Sequence, residues 1–116
     1  MASLKVPHQR FDGGSEFSGE VWILNDSSPE VLSGGSVKAE LDTGNGYVLL
    51  GEFPFNDVAP QTNVRLGAVS CLLPNEADAF IKVRLTIEGR EELNSEYTFV
   101  LRKTRDSYAP GSFLNS

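Results

Sequence analysis

A single cysteine, Cys71, in 116 residues rules out an internal disulfide, so the core of this chain must hold by packing alone. A single histidine, His8, sits beside Pro7 near the start. A nucleophile needs a base within hydrogen-bond reach, and with one imidazole the simplest reading of His8 is a partly exposed strand residue. One His and one Cys far apart in sequence give no transition-metal spacing, so neither a metal nor a cofactor is expected. Basic residues are scarce: ten Lys and Arg against sixteen Asp and Glu give a net charge of -6, and the cations are dispersed. That excludes the electrostatic footprint a phosphate backbone requires, and nucleic acid with it. Long apolar runs are missing too. Nothing approaches the roughly 20 residues of a membrane helix, and Met1 to Arg10 has no signal-peptide core. The chain is expected to be soluble, without membrane contact, and its compartment stays open.

What is present is alternation. Val37, Ala39 and Leu41 are interleaved with Lys38, Glu40 and Asp42, the period of two of a sheet with one face on a core and one in water. Ile81, Val83, Leu85 and Ile87 repeat it, as do Tyr97, Phe99 and Leu101. Val64, Leu66 and Ala68 do so more weakly, in a segment that also carries Val69 and Cys71. Turn signals divide these runs: Asp12-Gly13-Gly14, Asn25 to Pro29, Gly34-Gly35, Thr43 to Gly46, Pro60 to Asn63, Pro74 to Asp78 and Gly89. The pattern predicts strands at about 3–8, 17–25, 35–43, 46–57, 63–72, 79–88 and 95–103. About seven antiparallel strands and no sustained helical period give an all-β fold, an immunoglobulin-like β-sandwich. At most one helical turn is expected, in Pro74 to Phe80. Pro54 inside a strand marks an edge or a bulge, because it cannot donate to a ladder. Residues 1–103 form one domain in this reading, and 104–116 an irregular tail or linker.

Candidate reactive groups have simpler explanations. The acidic run Glu88 to Glu92 reads as a solvated hairpin turn, and the pairs Glu16/Glu20 and Glu91/Glu92 imply no cleft in which two carboxylates could act as acid and base. Gly-Gly-Ser at 13–15 and 34–36 lacks the following helix that binds phosphate. No catalytic constellation is expected. Cys71 reads as a small buried apolar residue. Aromatic rings could stack on sugars, which singles out Trp22, Tyr47, Tyr97 and Tyr108. Trp22 is expected in the sandwich core or against a neighbouring domain, Tyr97 in the core, and Tyr47 exposed after a turn.

The segments FSGEVWILNDSS, GGSVKAEL, FPFNDVAPQTNVRLGAVSCLLP and ELNSEYTFVLRK, spanning about residues 11 to 103, resemble the immunoglobulin-like domains that follow the catalytic barrel in glycoside hydrolase family two enzymes, of the β-mannosidase and β-galactosidase kind. The resemblance implies a non-catalytic accessory domain of a glycosidase, one that packs against the catalytic barrel and supports it. No catalytic glutamate carries over, since in that family those residues lie on the barrel. It allows a secreted or periplasmic parent. Interdomain or sugar contacts would then fall on Trp22, Tyr47, Phe53, Phe55 and Tyr108. The alternatives are an autonomous carbohydrate-binding module, which needs a row of coplanar exposed aromatics, and a protein-binding adhesion domain that uses edge-strand pairing.

Overall fold

The computed structural model describes residues 1–8 and 10–103. Eight strands follow one another: β1 (Ala2–Lys5), β2 (Arg10–Asp12), β3 (Glu16–Asn25), β4 (Gly35–Asp42), β5 (Val48–Phe55), β6 (Thr62–Leu72), β7 (Ala79–Ile87) and β8 (Ser95–Arg102). They make two sheets, a three-stranded one in the order β1-β3-β6 and a five-stranded one in the order β2-β8-β7-β4-β5. All pairings are antiparallel except β2 with β8, which is parallel. The chain is therefore an immunoglobulin-like β-sandwich, as the alternation requires.

The expected inward faces meet. Val37 and Ala39 on β4 are buried with Ile81, Val83, Leu85 and Ile87 on β7 and Phe99 and Leu101 on β8. From the opposite sheet they are covered by Phe17, Val21 and Ile23 of β3. Phe11, Phe17 and Phe99 cluster with ring centroids 5.1 to 5.9 Å apart. Such tilted and edge-on pairs contribute about 1 kcal/mol each beyond burial.

Three details differ from the sequence expectation. β2, only three residues long, occupies a stretch that the alternation leaves unassigned. It exists because β8 offers it a free edge, which no local pattern reveals. Pro74 to Phe80 forms no helix; the one short helical element is a 3-10 turn at Glu91–Leu93, inside the acidic hairpin. On β6 the inward set is Val64 and Leu66, half-buried, followed by Val69 and Cys71, while Ala68 points to solvent. A register shift opposite Val21/Trp22, where Val21 faces Gly67 and Trp22 faces Arg65, leaves Leu66 as an extra residue and reverses the phase. β5 lies at the sheet edge and carries its own shift at Ala39/Glu40, in keeping with Pro54.

The inward row of β3 ends on a polar residue. Asn25 is 7% exposed, and its side-chain nitrogen donates to the carbonyls of Glu30 (2.9 Å), Ala59 (3.1 Å) and Val58 (3.2 Å). Leu32 and Val58 exchange backbone hydrogen bonds beside it, at 2.9 and 2.8 Å. The β3–β4 and β5–β6 loops are thus joined above the core. Gly34 is needed here because a Cβ would stand 2.7 Å from the Phe55 carbonyl oxygen, a backbone atom that cannot step aside.

Replacing Asn25 with leucine keeps the branched shape and removes the donors. We expect a loss of about 2 kcal/mol in urea unfolding, since buried carbonyls lose partners. Asn25→Asp should cost more at neutral pH, because a carboxylate would face carbonyl oxygens. Equal stability of all three proteins would show that the loops close without this amide.

Candidate functional site

The two outer faces of the sandwich each carry one aromatic ring held by cations. Outward residues of β4, β7 and β8 come into register as Glu40, Arg84 and Glu96. The Arg84 Nε donates to Glu40 Oε1 at 2.8 Å, and its guanidinium lies 3.8 Å from the centre of the Tyr47 ring. The Tyr47 hydroxyl donates to Glu96 Oε2 at 3.3 Å. Tyr47 reaches this position because the β4–β5 turn is tight: Asp42 Oδ1 accepts from the backbone nitrogens of Gly44 (2.6 Å) and Gly46 (3.0 Å). Desolvation first, then the charge of Glu96, raises the Tyr47 phenol above its ordinary pKa, so the ring stays neutral and keeps donating.

On the three-stranded sheet, Trp22 points outward. Phe17, Gly19, Val21 and Ile23 take the inward positions of β3, and the period of two leaves Trp22 on the other side. Of the two placements expected for Trp22, the one in the core is corrected accordingly. The ring is half-buried under Lys5, whose Nζ lies 3.9 Å from its centre, and the indole NH donates to Glu20 Oε1 at 3.2 Å. Arg65 Nε donates to the other Glu20 oxygen, also at 3.2 Å. Lys5, Glu20 and Arg65 line a shallow groove with Val6, Pro7, Ser18, Gly19 and Ala68.

The remaining candidates do not join either ring. Phe55 is buried, and Phe53 is half-buried with its ring pressed over Gly51 and Gly67, so neither is the exposed contact residue that an edge strand suggested. A Cβ on Gly67 would come within 2.7 Å of the Phe53 ring. Tyr108 lies outside the described residues. Tyr97 is half-buried, its hydroxyl accepting from the Leu4 backbone nitrogen at 3.1 Å. His8 is exposed and meets Phe11 edge-on at 6.0 Å. Cys71 is half-buried, and burial, helped by Glu16, pushes its thiol pKa up. That is the reverse of what a reactive thiol needs. Among the described residues, no three His, Cys, Asp or Glu side chains come together as metal donors. Sequence reasoning weighed Glu20 only as half of an acid–base pair and Glu40 only as an outward strand residue, and it missed the roles of Arg65, Arg84 and Glu96. Outward charges on neighbouring strands were visible, but not which strands were neighbours.

No protein-family model matches the chain, and no curated protein matches it in sequence. Solved structures are similar in shape. The CARDB domain of the PF1109 protein from Pyrococcus furiosus, solved in complex with di-metal ions, matches at a TM-score of 0.62 with 11% identity, over 90% of this chain and 93% of that one. Superoxide reductase (neelaredoxin) from Ignicoccus hospitalis matches at 0.52 with 9% identity, covering 88% and 80%. The sporulation control protein Spo0M from Bacillus subtilis matches at 0.53 with 10% identity, covering 89% of this chain and 49% of that one. At such identities the likeness establishes the β-sandwich architecture and nothing finer.

Trp22, the only tryptophan, reports on its own site. Hydrogen bonds from Trp22 and then Arg65 hold the Glu20 carboxylate below its ordinary pKa. A depressed carboxylate supports the fold above its unfolded pKa and loses that support as pH falls through the folded value. Acid titration should therefore change Trp22 emission with a midpoint below the usual glutamate range, and Glu20→Gln should abolish the step. A midpoint above that range would contradict the geometry.

Proposed function

We propose that this domain is a non-catalytic accessory module that docks the outer face of its five-stranded sheet on a neighbouring domain. The fixed row Glu40, Arg84, Tyr47 and Glu96 carries this reading. Its side chains are already tied to one another across β4, β7, β8 and the β4–β5 turn, so little side-chain freedom remains to be lost on docking. Interfaces between domains of one chain are moderate in size and rather polar, which suits a surface of mixed charge. Exposed Leu49 on β5 and Phe80 on β7 add apolar area to it.

The segments quoted in the sequence analysis name the finer version of this reading. There the parent is a family two glycoside hydrolase of the β-mannosidase or β-galactosidase kind, and the neighbour is its catalytic barrel. A second reading, sugar binding, draws on the groove beside Trp22.

In the full-length parent, Arg84→Glu should abolish cross-links between this domain and its neighbour while the melting temperature of the isolated domain stays within a few degrees, because exposed ion pairs contribute about 1 kcal/mol or less. Persistence of the cross-links refutes docking through this face. A reading frame without a barrel upstream of residue 1 refutes the glycosidase parent, and a Trp22 emission change on titration with mannan, chitin or cellulose oligosaccharides favours the second reading.

A further inference from the structure

A sheet edge offers unpaired backbone groups to any passing strand, and folded proteins shorten, charge, bulge or cover their edges to prevent this. Three edges of this sandwich are treated in that way. β1 has four residues and β2 three. β5 carries a register shift, Glu52 and Pro54. β6 differs: it is eleven residues long and pairs only with β3 among the described strands. Its register shift lies at Leu66, and the Phe53 ring covers Gly67. From Ala68 to Leu72 the strand then runs without charge, proline or bulge.

The side chains of this stretch are complementary to themselves. Ala68 and Ser70 are small and exposed outward, Leu72 is outward and 77% exposed, and Val69 and Cys71 face the sandwich interior. In an antiparallel pair, directly opposite residues share a face, so a two-fold axis must pass through one residue. An axis at Ser70 sets Leu72 against the second copy's small Ala68 and Val69 against its Cys71. Charges agree with this arrangement. Near the Gly67 end stand Lys5 and Arg65 against a single Glu20, while near the other end stands Glu16, which is opposite Leu72. Antiparallel addition brings each basic end to the acidic end of the other copy.

We propose that β6 is a strand-addition site whose occupant is β6 of a second copy of this chain, joined over Ala68 to Leu72 about a two-fold at Ser70. The two three-stranded sheets become one sheet of six strands, and Leu72 leaves water. The outer face of the five-stranded sheet plays no part, so this inference and the docking function fail separately.

Sedimentation velocity over a concentration series tests it. The chain should dimerise reversibly with a dissociation constant in the micromolar range. Ser70→Lys, which sets two ammonium groups against each other, should weaken the dimer at least tenfold, while Leu49→Lys on the β5 edge and Arg84→Glu leave it unchanged; circular dichroism confirms that each variant is folded. In a Cys71→Ser background, Ser70→Cys should give a covalent dimer with a short bifunctional maleimide, since opposite residues bring their Cβ atoms to about 5 Å. A monomer at every concentration, a dimer indifferent to Ser70→Lys, loss of the dimer in Leu49→Lys, or failure of the Ser70→Cys cross-link would overturn the assignment.

Discussion

Asn25 closes the end of the core where the sheets would otherwise part. It takes the last inward position of β3, where an apolar residue would leave the carbonyls of two crossing loops without that donor. A side-chain amide has two hydrogens and meets three carbonyls here, so one contact is shared. The site tolerates polarity because two of the three partners are themselves fixed: Val58 is buried and paired with Leu32, and Glu30 is held through Ser28. Arg90 adds a second tie from the β7–β8 hairpin, donating to the carbonyls of Ser33 (2.6 Å) and Gly34. With those loops set, β4 and β5 start and end in register, and the outer face of the five-stranded sheet follows from that register.

The surface divides into parts with different physical character. One face carries a ring on an arginine within a web of carboxylates, the other a ring under a lysine beside a groove. Between them run the edges, of which β6 alone keeps a long uncharged stretch. A ring capped by a cation presents less free π surface, so both aromatics serve the order of the face before they serve a ligand.

Much of the sandwich was legible because it rests on local alternation. β4, β7 and β8 bury the residues that their period of two selects, Tyr97 only by half. Pro54 announced an edge strand by its missing donor. The failures are non-local or come from a competing preference. β2 depends on an edge supplied by a strand far along the chain. In β6 the spacing of three between Leu66 and Val69 already contained the bulge, but only pairing with β3 shows that it reverses Ala68. The core placement of Trp22 failed because its bulk argues for the interior, while the four inward neighbours on β3 argue more strongly for the outside. As for the site, single aromatics were visible, and the charges that hold them were not, since Arg84, Glu40 and Glu96 meet only through strand order.

The parallel pairing of β2 with β8 sets how the domain bears mechanical load. Tension applied through residue 1 and residue 103 first loads the pairing of β1 with β3 and then pulls β2 toward its N-terminal end and β8 toward its C-terminal end, so Arg10, Phe11 and Asp12 slide against Val100, Leu101 and Arg102 in shear. Hydrogen bonds loaded in shear must yield together, whereas those of an unzipped hairpin yield one at a time. Phe11, wedged between Phe17 and Phe99, adds friction to that sliding. A module strung between other domains would therefore transmit force first through the edge strand β1 and then through a three-residue clasp.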